Sequence, residues 1–448
     1  MRRHECLRHE RSLRAFDSLQ LPPMTSPLVS PLERRRIAVI PGDGIGREVM
    51  PIGLEVVHAA IRGELELETV ELPWSCDLYL ASGAMMPPDG LDTLRGFDAI
   101  FLGAVGDPAR VPDTVSLWGL LLRIRKGLGL AVNVRPARFL AGMPTPLRDP
   151  AAFDIVVVRE NTEGEYSDIG GRIHQGDREV AIQVNVFTRT GVEQVVRYAM
   201  DLARTRRCRL TSATKSNGIV HAMPFWDEVV REVALGYPDV TVESMHLDAL
   251  LARLVREPAR FDVIVGSNLF GDLLTDLSSA LMGSIGIAPS ANIDPTGRDP
   301  SLFEPVHGSA PDIAGKGIAN PIGQAWTGAL MLRHLGFAAA AGRIESAIGE
   351  VIEAGELTRD MRGTLTTNQV GARLVARIEA ARGGPVSSAA AGALRVGGVC
   401  GERDDLYIEV GEERQGSDGG MESRRVLSLP EAPVGPSTRH APHSTDGS

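Results

Sequence analysis

Two aspartates at helical spacing are the first residues whose types suggest chemistry. Asp272 and Asp276 are four residues apart in SNLFGDLLTDL (267–277), which follows a short apolar run and is expected to begin a helix. On a helix they share one face, where two like charges repel each other. Mg²⁺ or Mn²⁺, which prefer oxygen ligands, would relieve that repulsion, and so would the positive end of the helix dipole. The spacing leaves both readings open, and Asp248, an isolated acid among apolar residues, is equally ambiguous.

Three arginines have the chemistry to bind a small diacid. Arg125 and Arg135 lie close in sequence, and Arg159 ends the apolar run 155–158. The guanidinium fork binds a carboxylate through two parallel hydrogen bonds. Ligands gather at the carboxyl ends of strands in α/β sheets, which favours Arg159. Surface ion pairing is the alternative for all three.

Two glycine-rich segments suggest close approach of a ligand to the backbone. In Pro41–Gly46 the glycines at 42, 44 and 46 do not match the G-x-G-x-x-G spacing of dinucleotide sites, so only a tight strand-to-helix turn is predicted. The longer segment 303–321, FEPVHGSAPDIAGKGIANP, is rich in small residues, and irregular segments of this length are usually functional. Asp312 there would bind a ribose diol and repel a 2′-phosphate, which favours NAD over NADP.

Alternating strand-like and helix-like segments must position these residues. Apolar runs typical of buried strands occupy 36–40, 99–102, 155–158 and 263–265. Helical periodicity occupies 191–203, 224–233, 325–335 and 370–378. This alternation predicts an α/β fold. The 448 residues exceed what one hydrophobic core usually serves, so two domains with tails are expected.

The two ends of the chain differ in composition from the middle. Residues 1–34 and 385–448 are predicted to be disordered, since they would bury too little apolar surface to offset the entropy of ordering. Within the second tail, 406–410 could form a transient strand. Met24 opens a natural-looking start, so residues 1–23 are expected to be an upstream addition.

Composition excludes several classes of function. The formal charge of −10 and pI near 5.6 argue against nucleic acid as the main partner. No apolar run approaches the roughly 18 residues of a membrane-spanning helix, and the basic start lacks the apolar stretch of a signal peptide. Four scattered cysteines without CxxC spacing argue against a disulfide framework. A cytoplasmic location is expected.

Several long motifs occur in a fixed order between about residues 35 and 382. They are IPGDGIG, VNVRP, VVRENTEGEY, TKSNG, SNLFGDLLTDL and FEPVHGSAPDIAGKGIANP. Through them the chain resembles the β-decarboxylating dehydrogenase family of isocitrate, 3-isopropylmalate, and tartrate or D-malate dehydrogenases. The resemblance implies two α/β domains around a central cleft, and not a Rossmann fold. It implies that 35–130 and 283–384 form a discontinuous NAD-binding domain and that 131–282 form a domain for substrate, metal and dimerisation.

The resemblance also implies a role for each candidate residue. Tyr166 and Lys215 match the catalytic tyrosine and lysine. Substrate carboxylates would be bound by Arg125, Arg135 and Arg159, and Mg²⁺ or Mn²⁺ by Asp248, Asp272 and Asp276. The residues expected to bind NAD are Glu304, His307, Gly308, Ser309, Ala310, Pro311, Asp312 and Asn320. The family's active site is shared across a homodimer, so Lys215 and Asp248 would come from the partner subunit.

The segment around Trp118 bears on the substrate. Isocitrate enzymes carry serine and asparagine where this chain has Gly119 and Leu121, so isocitrate is disfavoured. Trp118 resembles the SLWG pattern of tartrate and D-malate dehydrogenases, although Gly127–Ala131 departs from that subfamily. We therefore expect NAD- and Mg²⁺- or Mn²⁺-dependent oxidative decarboxylation of a small (2R)-2-hydroxy diacid, either D-malate or tartrate. The alternatives are 3-isopropylmalate dehydrogenase, which Leu121 and Leu122 leave open, and a non-catalytic regulatory subunit.

Overall fold

A computed structural model describes residues 32–148, 152–383 and 409–410. Residues 1–31, 384–408 and 411–448, which hold most of the two predicted disordered tails and the Met24 start, lie outside the described residues. One boundary differs from the prediction, because the first strand begins at Glu33 rather than Arg36. Glu409–Val410 form a short strand within 406–410, where the sequence allowed one. Apolar patterning missed the first strand's start because charge pairs hold it, including Arg34 with Glu68 at 2.9 Å.

The predicted strands and helices are all present, with bounds shifted by a few residues. The strands are β1 (Glu33–Gly42), β2 (Leu65–Glu71), β3 (Ala99–Ala104), β4 (Val132–Arg138), β5 (Asp154–Glu160), β6 (Gly170–Ile173), β7 (Val180–Gln183), β8 (Arg209–Thr214), β9 (Thr241–His246), β10 (Val263–Gly266), β11 (Pro289–Ile293), β12 (Ser301–Pro305) and β13 (Glu409–Val410). The helices are α1 (Gly46–Ile61), α2 (Cys76–Ser82), α3 (Gly90–Leu94), α4 (Asp113–Ser116), α5 (Leu122–Gly127), α6 (Arg189–Arg204), α7 (Ala222–Ala234), α8 (Leu247–Arg256), α9 (Asn268–Met282), α10 (Ile322–His334), α11 (Ala338–Glu353) and α12 (Thr367–Gly383). A π-helical turn, Leu117–Leu121, joins α4 to α5.

One large mixed sheet runs through the described chain in the order β13-β9-β8-β10-β5-β4-β11-β12-β3-β1-β2. Most neighbours are parallel, but β4 is antiparallel to β5 and β11, and β11 is antiparallel to β12. The sheet is therefore not the parallel sheet of a Rossmann fold, as expected. Strands from the two predicted domains occupy opposite halves of this sheet and meet where β4 pairs with β11. The domain assignment itself stays a prediction.

Burial explains why the sequence signals were clear. Strands β3 and β10 are buried along their whole length, so they appear in the sequence as uninterrupted apolar runs rather than as an alternating pattern. Helix α6 packs on β5, β8 and β10, while α1 packs on α10 and α12. Within the described residues, no helix is both long and apolar enough to cross a membrane.

The first glycine-rich turn supports the second. Gly44 has φ +53°, and a Cβ there would lie 2.0 Å from the carbonyl oxygen of Ser309. The amide of Ile45 donates to that same oxygen at 2.8 Å. In the first turn of α1, the Glu48 carboxylate accepts from the amides of Gly315 and Gly317. The segment Pro41–Gly46, whose glycine spacing does not match that of a dinucleotide site, therefore supports the loop 306–321.

This packing predicts different costs for two glycine substitutions. Gly44→Ala should lower the free energy of unfolding by about 3 kcal/mol or more, because both the backbone conformation and the contact with Ser309 oppose a Cβ. Gly63 also has positive φ (+75°) but no heavy atom within 4 Å of its Cβ position. Gly63→Ala should therefore cost only about 1 kcal/mol. Urea unfolding of both variants measures the two losses in free energy of unfolding. Equal losses would contradict the role of Gly44 in supporting the loop.

Candidate active site

Helix α9 carries the two aspartates first noted in the sequence. Its N-cap is Ser267, whose hydroxyl accepts from the amide of Phe270, and its first turn contains no acidic residue. The helix dipole acts within the first turn, so it does not account for Asp272 or Asp276. The pKa of Asp276 is raised by partial burial and then by the negative charge of Asp272. The alternative of a charge-stabilised helix start is therefore wrong.

Asp272 is the meeting point of three predicted side chains. Its Oδ1 atom accepts from Nη1 of Arg135 at 3.3 Å and from Nη1 of Arg159. Its Oδ2 atom accepts from the hydroxyl of Tyr166 at 3.2 Å. The guanidinium of Arg159 also lies 5.5 Å from the centre of the Tyr166 ring. Asp276, by contrast, makes no hydrogen bond or ion pair within the described residues.

The three predicted substrate arginines are buried, so surface ion pairing is wrong for all of them. Arg125, Arg135 and Arg159 are 6%, 8% and 4% exposed. Burial lowers the pKa of Arg135, against the charge of Asp272. Burial and the charge of Arg135 lower the pKa of Arg159 to about 10. The Nε atoms of Arg125 and Arg135 are buried without a hydrogen-bond partner in the described chain. A cation cluster of this kind is suited to binding an anion.

Arg125 joins the substrate residues to the cofactor residues. It forms an ion pair of 2.6 Å with Glu304, which the sequence assigned to the cofactor. Asn292 donates to the same carboxylate at 2.9 Å and accepts from Asn133 and Asn161 at 3.0 and 2.9 Å. These buried amides link β4, β5, β11 and β12. Sequence reasoning did not find Asn292, and only the position of Asn161 after a buried strand gave a signal.

Glu165 fixes the position of Tyr166 relative to α9, the helix that carries the candidate metal ligands Asp272 and Asp276. Its carboxylate accepts from the hydroxyl of Ser267 at 2.8 Å and from the amide of Leu269 at 3.0 Å, at the N-terminus of α9. Because Tyr166 is the next residue, this cap sets how far its hydroxyl reaches toward Asp272. The motif contained Glu165, but nothing in its spacing predicted a cap on a helix so distant in sequence.

Helix α9 also supplies acceptors for the arginines. The side-chain oxygen of Asn268 accepts from Nε and Nη2 of Arg159 at 3.1 and 2.7 Å. The hydroxyl of Thr275 accepts from Nη1 of Arg135 at 2.7 Å. Both residues lie in the quoted motif SNLFGDLLTDL, yet their role as supports for buried guanidinium groups emerged only from the fold. They hold the arginines without adding negative charge.

Lys215 and Asp248 form a separate pair. The Lys215 ammonium lies 2.9 Å from the Asp248 carboxylate, and both side chains are accessible, at 32% and 70% exposure. The hydrogen bond from Lys215 lowers the pKa of Asp248. Within the described residues, no three acids, histidines or cysteines come together as a metal site. A single copy of the chain therefore does not bring Asp248 to Asp272 and Asp276.

The predicted cofactor loop begins later than expected, because Phe303–Pro305 belong to β12. His307 is buried, and burial lowers the pKa of its imidazole. Its Nδ1 atom contacts the Gly308 carbonyl at 3.0 Å, while Nε2 has no partner in the described chain. This neutral ring has an unused polar atom that suits hydrogen bonding to a nucleotide base.

The remaining predicted cofactor residues differ in their surroundings. Ala310 has φ +39°, and Pro311 lines a cavity of about 410 Å³ with Gly44 and Gly315. Asn320 accepts from the amide of Ile322 and donates to Asp360 at 2.9 Å. Asp312 is exposed, and its carbonyl accepts from Lys316. The exposed carboxylate, open backbone and unpartnered imidazole atom fit a dinucleotide.

Similar proteins of known structure share this fold. The chain matches isocitrate dehydrogenase from Methylococcus capsulatus with a TM-score of 0.69 and 37% identity, covering 77% of this chain and 99% of that one. It matches the TT0538 protein from Thermus thermophilus with a TM-score of 0.71 and 32% identity, covering 84% and 74%. These comparisons confirm the predicted fold.

Curated relatives are similar over nearly their whole length. The chain is 56% identical over 349 residues to a probable tartrate dehydrogenase/decarboxylase of Bacillus subtilis (strain 168), covering 78% of this chain and 99% of the relative. It is 53% identical over 350 residues to D-malate dehydrogenase [decarboxylating] of Escherichia coli (strain K12), covering 76% and 97%. The model of the isocitrate/isopropylmalate dehydrogenase family matches residues 36–374. The chain therefore belongs to the isocitrate/isopropylmalate dehydrogenase family.

Proposed function

We propose that this protein catalyses the NAD- and Mg²⁺- or Mn²⁺-dependent oxidative decarboxylation of a (2R)-2-hydroxy diacid, with D-malate or tartrate as substrate. The observation that carries the proposal is the meeting of Arg135, Arg159 and Tyr166 at Asp272. Relatives 51–56% identical are named tartrate dehydrogenase/decarboxylase or D-malate dehydrogenase, which supports this substrate class.

The charges of the cluster support a dianionic substrate with a divalent metal. Three arginines, Arg125, Arg135 and Arg159, formally cancel the three carboxylates Asp272, Asp276 and Glu304. A divalent cation would leave two positive charges, which balance the two negative charges of a diacid at neutral pH. The two unpartnered Nε atoms give the arginines spare donors for its carboxylates.

The carboxylates of α9 fit Mg²⁺ or Mn²⁺ in part. Asp272 and Asp276 repel each other, and Asp276 has no partner in the described chain, so a cation bound to both would lower that repulsion. Two carboxylates with waters are a common protein contribution to a Mg²⁺ site. Asp248 of the partner subunit would supply a third. The bound ion would supply Lewis acidity at the C2 oxygen of the substrate.

The protein's own residues bind the diacid and move protons. Arg135 and Arg159 hold a carboxylate, and their burial excludes water from the pair. Lys215 of the partner subunit helps remove the C2 hydroxyl proton. Tyr166 donates a proton to the enol carbon as CO₂ departs, so that the decarboxylation step needs the phenolic proton. Burial and then the charge of Asp272 raise the pKa of Tyr166, which keeps that proton on its hydroxyl at neutral pH.

The loop 306–321 is the proposed NAD site. His307 offers its unpartnered Nε2 atom, and the exposed Asp312 would favour a ribose diol over a 2′-phosphate. NAD held there would supply the hydride acceptor for the oxidation at C2. The Arg125–Glu304 pair connects this loop to the substrate arginines through β12.

An exposed hairpin supports a homodimer. Every residue of β6 and β7 is exposed, including apolar ones such as Ile173 at 50% and Ile182 at 48%. A two-stranded sheet alone is at best marginally stable in water, so a second copy that covers it would add the missing burial. Leu273, on α9 beside Asp272, is also 46% exposed. The cytoplasmic location expected from the sequence stays a prediction.

The structure offers no observation that favours 3-isopropylmalate. Leu122 is 6% exposed, and Leu121 packs against a buried apolar cluster that includes Leu120 and Ile124. 3-Isopropylmalate therefore stays the alternative substrate.

Turnover by the purified protein tests the proposal directly. NADH production should occur with D-malate or tartrate and Mn²⁺ or Mg²⁺, stop with a chelator, and fall with NADP. The value of kcat/KM for the preferred diacid should exceed that for 3-isopropylmalate by about tenfold or more. A preference for 3-isopropylmalate would reassign the substrate. No turnover of any diacid would instead support a regulatory subunit.

Tyr166→Phe tests the proton donor. This variant should slow decarboxylation of the β-keto acid by about 10²-fold or more, and slow oxidation of the diacid less, because only decarboxylation needs the phenolic proton. Separate assays of β-keto acid consumption and NADH formation measure the two steps. Tyr79→Phe, at a half-buried tyrosine on α2, is the matched control. Equal slowing of both steps would count against the role.

Mixing two inactive variants tests the shared site. Asp272→Asn and Asp248→Asn should each inactivate the enzyme. If Asp248 serves its partner's site, random mixing during refolding makes half of the dimers mixed, each with one intact site, and restores about a quarter of wild-type activity. A site formed within one chain predicts no recovery. Recovery of active dimers on co-expression is the same measurement without refolding.

A further inference from the structure

Lys126, near the end of α5, contacts two segments of the chain, one that contains Trp118 and one that contains Tyr166. Its ammonium lies 4.6 Å from the centre of the Trp118 ring and 3.3 Å from the carbonyl oxygen of Tyr166. The preceding residue, Arg125, is buried and pairs with Glu304. One turn of helix thus holds a substrate-binding arginine on its inner side and Lys126 on its outer side.

Trp118 is presented to Lys126 by unusual backbone geometry. It lies in the π-helical turn Leu117–Leu121, which separates α4 from α5. A π-helical turn adds a residue to the turn and rotates the side chains that follow, and such turns are frequent at functional sites. A lysine ammonium over the face of an indole is attracted by the negative charge of the ring face. The turn and the cation together fix the orientation of the ring.

Three consecutive contacts connect Trp118 to helix α9. They join the indole to Lys126, Lys126 to the Tyr166 backbone, and the Tyr166 hydroxyl to Asp272. Glu165 holds the same segment from the other side, at the N-terminus of α9. The segment that contains Tyr166 is therefore held on one side by Glu165 and on the other by Lys126.

Lys126 forms no ion pair with any residue that the structure describes. Within residues 32–148 and 152–383, no carboxylate lies within salt-bridge distance of its ammonium. Arg123, on the same helix and also exposed, provides a contrast: it donates to the Pro88 carbonyl at 3.4 Å and contacts neither Trp118 nor Tyr166. A general surface charge on α5 would not distinguish the two residues, but their contacts do.

We propose that Lys126 is a positioning residue of the active site. It holds Trp118 and the Tyr166 backbone in a fixed relation, so that the Tyr166 hydroxyl stays in place to protonate the enol carbon. The inference rests on the proposed function, because it concerns the step assigned to Tyr166. It predicts that loss of Lys126 affects decarboxylation more than oxidation, as loss of the Tyr166 hydroxyl does.

Three variants of the full-length protein test the role: Lys126→Met, which keeps length without charge, Lys126→Arg, which keeps a cation and donors, and Arg123→Met as the matched control. Lys126→Met should lower kcat/KM for the diacid by about tenfold, the expected effect of losing a charge-assisted hydrogen bond. It should also raise the fraction of β-keto acid released before decarboxylation, with the KM for NAD within about twofold of wild type. Lys126→Arg should keep most of the activity, and Arg123→Met should match wild type.

The outcomes separate this inference from the proposed function. A wild-type protein that turns over no diacid overturns the proposed function. An active wild type whose Lys126→Met variant behaves like Arg123→Met overturns the positioning role alone. A fall in kcat/KM without a change in the released β-keto acid also overturns it, because Tyr166 would then be correctly placed. Thermal unfolding at an unchanged Tm shows that the variant is folded.

Discussion

The burial of three arginines beside an acidic helix is the constraint on which the rest of the site depends. A guanidinium group that leaves water loses hydration, and removing one partner of a buried ion pair costs about 3–5 kcal/mol. Arg135 and Arg159 meet this requirement at Asp272, and Arg125 meets it at Glu304. Strands β4 and β5, helix α9 and strand β12 must therefore converge on one point. The lowered pKa of Arg159 reflects both its burial and the charge of Arg135.

The same constraint explains how the proposed substrate and cofactor regions are connected. Glu304 leads directly into the loop 306–321, and its carboxylate is held by Arg125 and Asn292. Near the start of that loop, the glycine-rich turn Pro41–Gly46 supports Ser309. A buried polar network of this kind has few alternative arrangements, because each unsatisfied group is costly. Arg125 is therefore connected to the loop through Glu304, which lies two residues before the loop begins.

Much of this could be predicted because it is local or motif-based. Uninterrupted apolar runs predicted β3, β5 and β10, and helical periodicity predicted α6, α7, α10 and α12, since burial on both faces or on one stripe leaves those patterns in the sequence. The family resemblance supplied the site residues. The boundary at Glu33 was missed because charge pairs across parallel strands leave no apolar signal. Likewise, the spacing of Gly42, Gly44 and Gly46 argued against a dinucleotide-binding turn, but it did not indicate that this turn supports the loop 306–321.

The sequence by itself determined the α/β class and the family, and it supplied the candidate side chains for binding a diacid, a dinucleotide and a divalent cation. Only the tertiary structure decided which of them meet. It placed Arg135, Arg159 and Tyr166 at Asp272, rejected the helix dipole as the reason for the acidic pair, and set Lys215 and Asp248 apart. These contacts join residues more than one hundred positions apart, as in Tyr166 and Asp272. Local propensity carries no information about such pairs, because their geometry is set by the order of strands in the sheet.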